Sequence, residues 1–558
     1  MSIGVLVSHP SHVNWARNRW PECILIAREQ ITVHLNPKGS VQYLYPELES
    51  SNKLEEAVIF LADNWYRNND GIDQVQNDEF SVAQVLTGSI RIGLASQIRE
   101  FEAVQHWCSQ LTKLYVSNSE NEFIKRALNQ HLTMVEYYEP PNYAQPFSRW
   151  LENRQLRDYL SLNRKWARSS VVRAAYLVQR YLFRSTSRTC KIIFSDWTDS
   201  FQFSKQKCLW TNHKDLRKSA LIFSTRRLLK ESAWKVSLQK VSFANSDWIS
   251  IVLKRGNYAV NHKLAELLSQ YLQDCVLKNS SIIALYHAQM SVLFKNYDIE
   301  SIQVPAELFE PYVVAMQLAR ANGIKTTLSV DGHDPTGLSV PTLRTPDNQG
   351  YLLDNFVTPS DVLYNSALKK RFLDDQIICT NSKFHLLHQV NKERKIEFDA
   401  MVMTWIPNHQ NPNARIDSPI STLESSLKIL GEHFEGKIAV KVKDLRLEQE
   451  YVAEIIHQLG LSQSIEILSG RFSEYVNSTR LIVGGISSAI AEAMIHEIPY
   501  IIFEPLENGY SDLCLEQSSV LDIKRIARTS EDLLCFIQDG RSSIDVDSRS
   551  YLYSSKAL

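Results

Sequence analysis

The sequence predicts an α/β fold: two Rossmann-like domains facing a cleft, with a mainly helical N-terminal preamble. Three observations predict it. The chain has 558 residues, more than one ordinary hydrophobic core sustains, so two or three domains are expected. Strand-like and helix-like segments alternate from Lys113 onward, the pattern of βαβ units. Composition is that of a globular chain, 44% hydrophobic and 22% charged.

The elements follow in order. Within residues 1–105 only the stretch that continues as "SVAQVLTGSIRIGLASQIREFEAVQHWCSQL" (81–111) shows apolar spacing, and that spacing predicts a helix. "KLYVSN" (113–118) reads as a strand, "ENEFIKRALNQH" as a helix and "TMVEYYEP" as a strand. Then Asp158 to Asp196 encloses no acidic residue, while Arg168, Arg173, Arg180 and Arg184 alternate with apolar and aromatic residues. This reads as a basic amphipathic helix, either packed with a solvated basic face or offered to an anionic lipid head group or polyanionic acceptor. "KIIFSDW" (191–197) and "SALIFST" (219–225) read as strands, and 264–298 as two helices. "IESIQVPAE", "LFEPYVVAMQLARANGI" and "KTTLSVDGHD" form a strand–helix–strand unit.

A second series begins near residue 376. "FDAMVMTWIPN", "KIAVKVKD", "IEILSG" and "LIVGG" read as strands with helices between them. The expected domains are therefore 1–105, 106–385 and 386–558. Net charge is −1, which excludes a global attraction to nucleic acid. The eight cysteines are scattered with no CxxC, so no metal site is expected and free thiols in a reducing cytosol are. "MSIGVLVSHP" has neither the basic start nor the apolar core of a signal peptide. No apolar run approaches the ~20 residues of a membrane span. A cytoplasmic location is expected, with a peripheral contact at the inner membrane if the basic helix meets lipid.

Polar clusters mark the strand ends, where ligands bind in such sheets. In "IVGGISSAIAEAM", Gly484 and Gly485 are expected to take positive φ and let a ligand approach the backbone. Ser487 or Ser488 caps the next helix, and Glu492 follows one turn later, placed for ribose hydroxyls. The alternative is a tight turn, a capping serine and a solvated acid. Asp331 and His333 in "SVDGHD" suit a general base with an orienting partner, or a polar loop with Asx turns. Lys443 in "VKVKD" suits a phosphate or is merely solvated, and Asn408 in "TWIPNHQNPNAR" suits a base or diphosphate or an ordinary loop.

From Ile299 to Pro505 this order resembles the GT-B-type glycosyltransferases of bacterial surface polysaccharide synthesis. The likeness is to the capsule-polysaccharide, Kdo-transferase and CDP-glycerol-transferase-like branches. It is carried by helix-"ANGIK"-strand-"DGHD", "VTPSDVLYNSALKKRF", "QIICTNSKFHLL", "AVKVKD" and "LIVGGISSAIAEAMIHEIPYIIFEP". The resemblance implies transfer of a sugar from a nucleotide-activated donor, held by the C-terminal domain, to a glycan or lipid-linked acceptor on the N-terminal one. Ser487 and Ser488 would hold donor phosphate, Glu492 a ribose or sugar hydroxyl, and Asp331 would supply the base. His333 resembles the His of a Gln-His-Gly-like turn in this group. No cofactor and no bound metal are implied, since positive turns replace the cation. The CMP-sugar branches carry His-Pro where Lys443-Asp444 stands, which leaves UDP-, GDP- or CDP-linked donors. A nucleotide-sugar 2-epimerase-like isomerase and a non-catalytic GT-B-like binding protein are the alternatives.

Overall fold

The computed structural model describes residues 2–7, 12–28, 41–45, 51–77, 80–118, 120–131, 134–139, 189–194, 203–204, 208–211, 244–259, 261–296, 298–307, 310–329, 343–344, 350–358, 372–379, 395–404, 418–434, 436–442, 445–487, 489–505 and 526–543. The chain divides into two units. One comprises Met1–Pro46, Glu56–Asp331 and Pro341–Phe356; the other comprises Glu47–Glu55, Gly332–Val340 and Val357–Leu558.

The first unit begins with a five-stranded sheet. Its strands are β1 (Ile3–Val7), β2 (Ile24–Ala27), β3 (Val41–Tyr43), β6 (Lys113–Ser117) and β7 (Met134–Tyr138). Between them β4 (Gln76–Asn77) and β5 (Phe80–Ser81) form a small antiparallel pair. The sheet order is β3-β2-β1-β6-β7, parallel throughout. Val5, Leu6 and Val7 are all buried, so β1 is covered on both faces, as strands of a parallel sheet are.

This sheet corrects the expectation for the N-terminus. Residues 1–105 do carry helices, at His12–Arg19, Ser51–Asn64, Val82–Val85 and the start of Thr87–Gln110. They are not a preamble. The expected boundary at 105/106 falls inside that last helix and would part β1–β3 from β6–β7 of the same sheet. The strands of this segment are short, and β3 has three residues. Such runs are too brief for alternation to register in the sequence.

The second sheet contains β8 (Thr189–Phe194), β9 (Phe203–Ser204), β10 (Cys208–Thr211), β11 (Asp298–Val304) and β12 (Lys325–Ser329) in the first unit. These strands lie in the order β12-β11-β8-β10-β9, with only the short β9 antiparallel. β13 (Asn355–Thr358) and β14 (Ile377–Cys379) follow in the chain. The expected strand at 219–225 lies outside the described residues. The two helices expected over 264–298 are one helix of 35 residues, His262–Asn296, which contains neither glycine nor proline to interrupt it. Gln317, on the helix Glu310–Ala321, ties this layer to the β4/β5 insertion. Ser81 N donates to Gln317 Oε1 at 2.9 Å, and Gln317 Nε2 donates to Gln84 Oε1 at 2.9 Å.

The second unit holds a third sheet. Its strands are β15 (Ala400–Met403), β16 (Ile438–Lys441), β17 (Ile465–Leu468), β18 (Ile482–Gly484) and β19 (Tyr500–Ile502). They are parallel in the order β17-β16-β15-β18-β19. Met401, Ile482, Ile490, Ala493 and Ile502 share one buried cluster on this sheet. The helix Ser530–Gln538 starts with a capping box: Thr529 Oγ1 accepts from Asp532 N at 3.0 Å, and Asp532 Oδ2 accepts from Thr529 N at 2.9 Å. The fold is thus α/β with Rossmann-like sheets, as expected, three of them among the described residues.

One ion cluster stands at the carboxyl ends of the first sheet. Arg28, following β2, donates through Nη1 to Glu120 Oε1 at 3.1 Å and through Nη2 to Glu100. Asn121 Nδ2 donates to both Glu100 oxygens, at 3.2 and 3.0 Å. Burial alone would lower the Arg28 pKa, but Glu100, Tyr45 and Glu120 outweigh it and hold it well above the usual arginine range. Arg28→Ala would strand the fully buried Glu100. A loss of about 3–5 kcal/mol is expected, read as a lower urea midpoint of Trp15 and Trp20 fluorescence. An unchanged midpoint would show that the cluster does not hold this sheet.

Candidate functional site

β15 and β18 are neighbours, but the chain leaves them in opposite directions: β15 leads to β16 and β18 leads to β19. Connections that diverge in this way open a crevice beyond the carboxyl ends of the two strands, the switch point at which open α/β sheets bind ligands. The turn Gly484-Gly485-Ile486-Ser487 sits at this place, beside Met403 and Thr404 at the end of β15.

Gly484 is needed for space. A Cβ there would meet Tyr500 Oη at 2.7 Å and Met403 Cβ at 2.9 Å. The expected positive φ is not the reason: among the described residues the positive-φ glycines are Gly71, Gly323, Gly460, Gly470 and Gly540. Gly484 and Gly485 are buried, Ile486 is half-buried and Ser487 is exposed. Ser487 Oγ accepts from Ala489 N at 3.3 Å, and Ser487 O accepts from Ile490 N at 3.1 Å, so Ser487 starts the helix Ala489–Ile495. Tyr500 Oη donates to Gly485 O at 2.7 Å from the interior side.

Charged groups surround the same edge. Glu492, on that helix, is half-buried, and burial raises its carboxyl from 4.5 to about 7. Lys441 ends β16 and is buried; its Nζ donates to Val442 O. Burial lowers its pKa, against the opposing pull of Glu448 and Glu474. Glu448 is fully buried and accepts from Thr404 Oγ1 at 2.9 Å, while Thr404 N donates to Lys441 O at 3.1 Å. Glu504, two residues past β19, is buried with Arg528 Nη1 at 3.8 Å.

The structure therefore brings together Gly484, Gly485, Ser487 and Glu492. Asp331, His333, Asn408, Lys443, Ser488, Arg168, Arg173, Arg180 and Arg184 lie outside the described residues. Sequence reading missed Tyr500, Thr404, Glu448 and Glu504. A polar tip inside a buried strand, as in "YIIFE", was the available signal. Among the described residues no group of three or more His, Cys, Asp or Glu is set to hold a metal ion. No described helix is long and apolar enough to cross a membrane.

No family profile matches the chain, and no curated protein matches it. Solved structures do. The UDP-GlcNAc 2-epimerase of Methanocaldococcus jannaschii, in complex with UDP-GlcNAc and UDP, is 12% identical. The match covers 63% of this chain and 92% of that one, with a TM-score of 0.33. MnaA of S. aureus, solved with UDP, is 10% identical over 66% of this chain and 90% of its own, with a TM-score of 0.35. TarM of S. aureus, in a complex that includes UDP, is 13% identical over 46% of this chain and 51% of its own, with a TM-score of 0.29. At these scores the likenesses decide nothing about this chain's activity.

The buried acid gives a measurable pH effect. Folded Glu492 keeps its proton up to about pH 7, while the unfolded chain releases it near 4.5. Its contribution to stability is therefore highest below pH 4.5, falls as pH rises to about 7, and is constant above. Thermal melts across this range should show the decline in the wild type and a flatter profile in Glu492→Gln. Identical profiles would remove the buried-acid assignment.

Proposed function

We propose that the chain is a nucleotide-sugar-dependent glycosyltransferase of GT-B type, acting in bacterial surface polysaccharide synthesis on a glycan or lipid-linked acceptor. The observation that carries this reading is the Gly484–Ser487 turn at the β15/β18 switch point, with Ser487 exposed and Glu492 one turn into the helix. In the reaction, Asp331 with His333 takes the proton of an acceptor hydroxyl. The acceptor oxygen forms the new bond to the sugar's anomeric carbon as the bond from that carbon to the donor phosphate breaks. The negative charge departs with the nucleoside diphosphate, and the amides and hydroxyls of 485–488 stabilise it. Glu492 accepts from a ribose or sugar hydroxyl; Lys443 and Asn408 contact the rest of the donor.

One observation favours a second reading, an isomerase of the nucleotide-sugar 2-epimerase kind. A carboxyl whose pKa is near 7 is poised to give and take protons at neutral pH, and Glu492 is such a group. Nucleotide release separates the two. A transferase releases nucleotide from UDP-, GDP- or CDP-sugar only when acceptor is added; an isomerase interconverts the sugar nucleotide alone. A non-catalytic binding protein would do neither.

Ser488→Ala and Asp331→Asn are each expected to reduce transfer by about 100-fold or more while melting within a few degrees of wild type. Full activity in both variants would remove these roles.

A further inference from the structure

We propose that Tyr500 is a positioning residue that sets the backbone of the Gly484–Ser487 turn in the geometry that receives a nucleoside diphosphate. The inference rests on the donor reading above and adds to it a residue outside the turn.

Tyr500 is the first residue of β19 and is fully buried. Its hydroxyl lies on the interior side of the turn and acts on it in two ways. It donates to Gly485 O at 2.7 Å. It also occupies the space that a side chain at Gly484 would need, 2.7 Å from the position of a Cβ. Hydrogen bond and steric fit thus act on consecutive residues of one turn. The donated bond fixes the Gly485–Ile486 peptide plane, since a peptide unit turns as a rigid body. The N–H of Ile486 belongs to that same plane. Its direction is therefore set by a phenol behind it, not by the residues a ligand would touch.

The backbone of Tyr500 is held from the other side. Tyr500 N donates to Ser542 Oγ at 3.2 Å, Ser542 Oγ donates to Tyr500 O at 3.1 Å, and Ser543 N donates to Tyr500 O at 2.9 Å. Ile502 N donates to Ser543 Oγ at 2.8 Å. The outer flank of β19 is thus fastened to Ser542-Ser543. A leucine or valine at position 500 would satisfy the apolar core equally well. Only a ring long enough to carry a hydroxyl into the turn makes the bond to Gly485 O, and the missing Cβ of Gly484 leaves room for it.

The test uses the full chain and three probes, UDP, GDP and CDP, measured by calorimetry. Amide hydrogen exchange of 484–487 is followed without nucleotide. Tyr500→Phe keeps the ring and deletes the donor. Its expected effect is a five- to tenfold weaker Kd, roughly what the loss of one buried hydrogen bond produces. Faster exchange confined to the turn should accompany it. Gly484→Ala should also weaken binding. In the double variant the alanine should cost less than it does alone, because the oxygen its methyl would strike is gone; simple additivity is the structural outcome. If the wild type binds a probe and Tyr500→Phe binds it equally well, with unchanged exchange, the proposal is overturned. If the wild type binds none of the three, the donor reading fails. Exchange then decides alone: faster exchange confined to the turn supports Tyr500 as the residue that sets it, and unchanged exchange overturns that too.

Discussion

Parallel pairing forces the carboxyl end of every strand onto one edge of a sheet, and each return to the opposite edge requires a crossover. The rest of this structure depends on that constraint. The first and third sheets are parallel throughout, and in both the strand order reverses once, between β1 and β6 and between β15 and β18. Chemistry is concentrated where the constraint places it. Arg28 follows β2, Thr404 follows β15, Lys441 ends β16, the Gly484–Ser487 turn follows β18, and Glu504 follows β19. The amino-terminal ends show no comparable set of buried charges among the described residues.

The same edge is where such charges are costly. An ammonium or carboxylate removed from water costs several kcal/mol unless its remaining donors and acceptors are met. Around Lys441 they are met locally: its own strand supplies Val442 O, Thr404 binds Glu448, and Glu448 and Glu474 pull against the desolvation of the lysine. Around Arg28 the partners come from further off in sequence, 72 and 92 residues away. The first arrangement needs only the β16–helix connection and its neighbour β15. The second draws together β2, the long helix before β6 and the loop after β6, so it forms only when the whole first sheet has closed.

Much of the second and third sheets was legible in the sequence. "KTTLS", "IAVK", "IEIL" and "IVG" carry enough apolar residues to mark a buried strand, and "ARANGI" marks a helix end, where Gly323 takes a φ of +67°. The Gly-Gly-x-Ser turn was legible as a turn, though the reason for its first glycine was not. That reason is Tyr500 and Met403, which lie 16 and 81 residues away and approach only after β15, β18 and β19 pair. Positive φ is a local property that a sequence can suggest; close approach of a distant side chain is not. The first sheet was legible only at β6 and β7, in "KLYVS" and "MVEYY". Its other strands, β1 to β3, are buried apolar runs or very short, with no alternation to mark them.

Three Rossmann-like sheets in one chain pose a question of division of labour. The proposed function draws on the third sheet, which carries the Gly484–Ser487 turn at its switch point. The first sheet is left over, yet it is no loose appendage. Through Ser81, Gln84 and Gln317 its β4/β5 insertion is hydrogen-bonded to the helix Glu310–Ala321, which leads into β12. Buried side-chain amides that are satisfied on both sides fix one relative geometry, because any slip leaves donors unpaired in an apolar setting. The physical role this supports for the first sheet is to brace the helix that precedes β12. The brace joins Ser81 and Gln317, positions more than 200 residues apart in the chain.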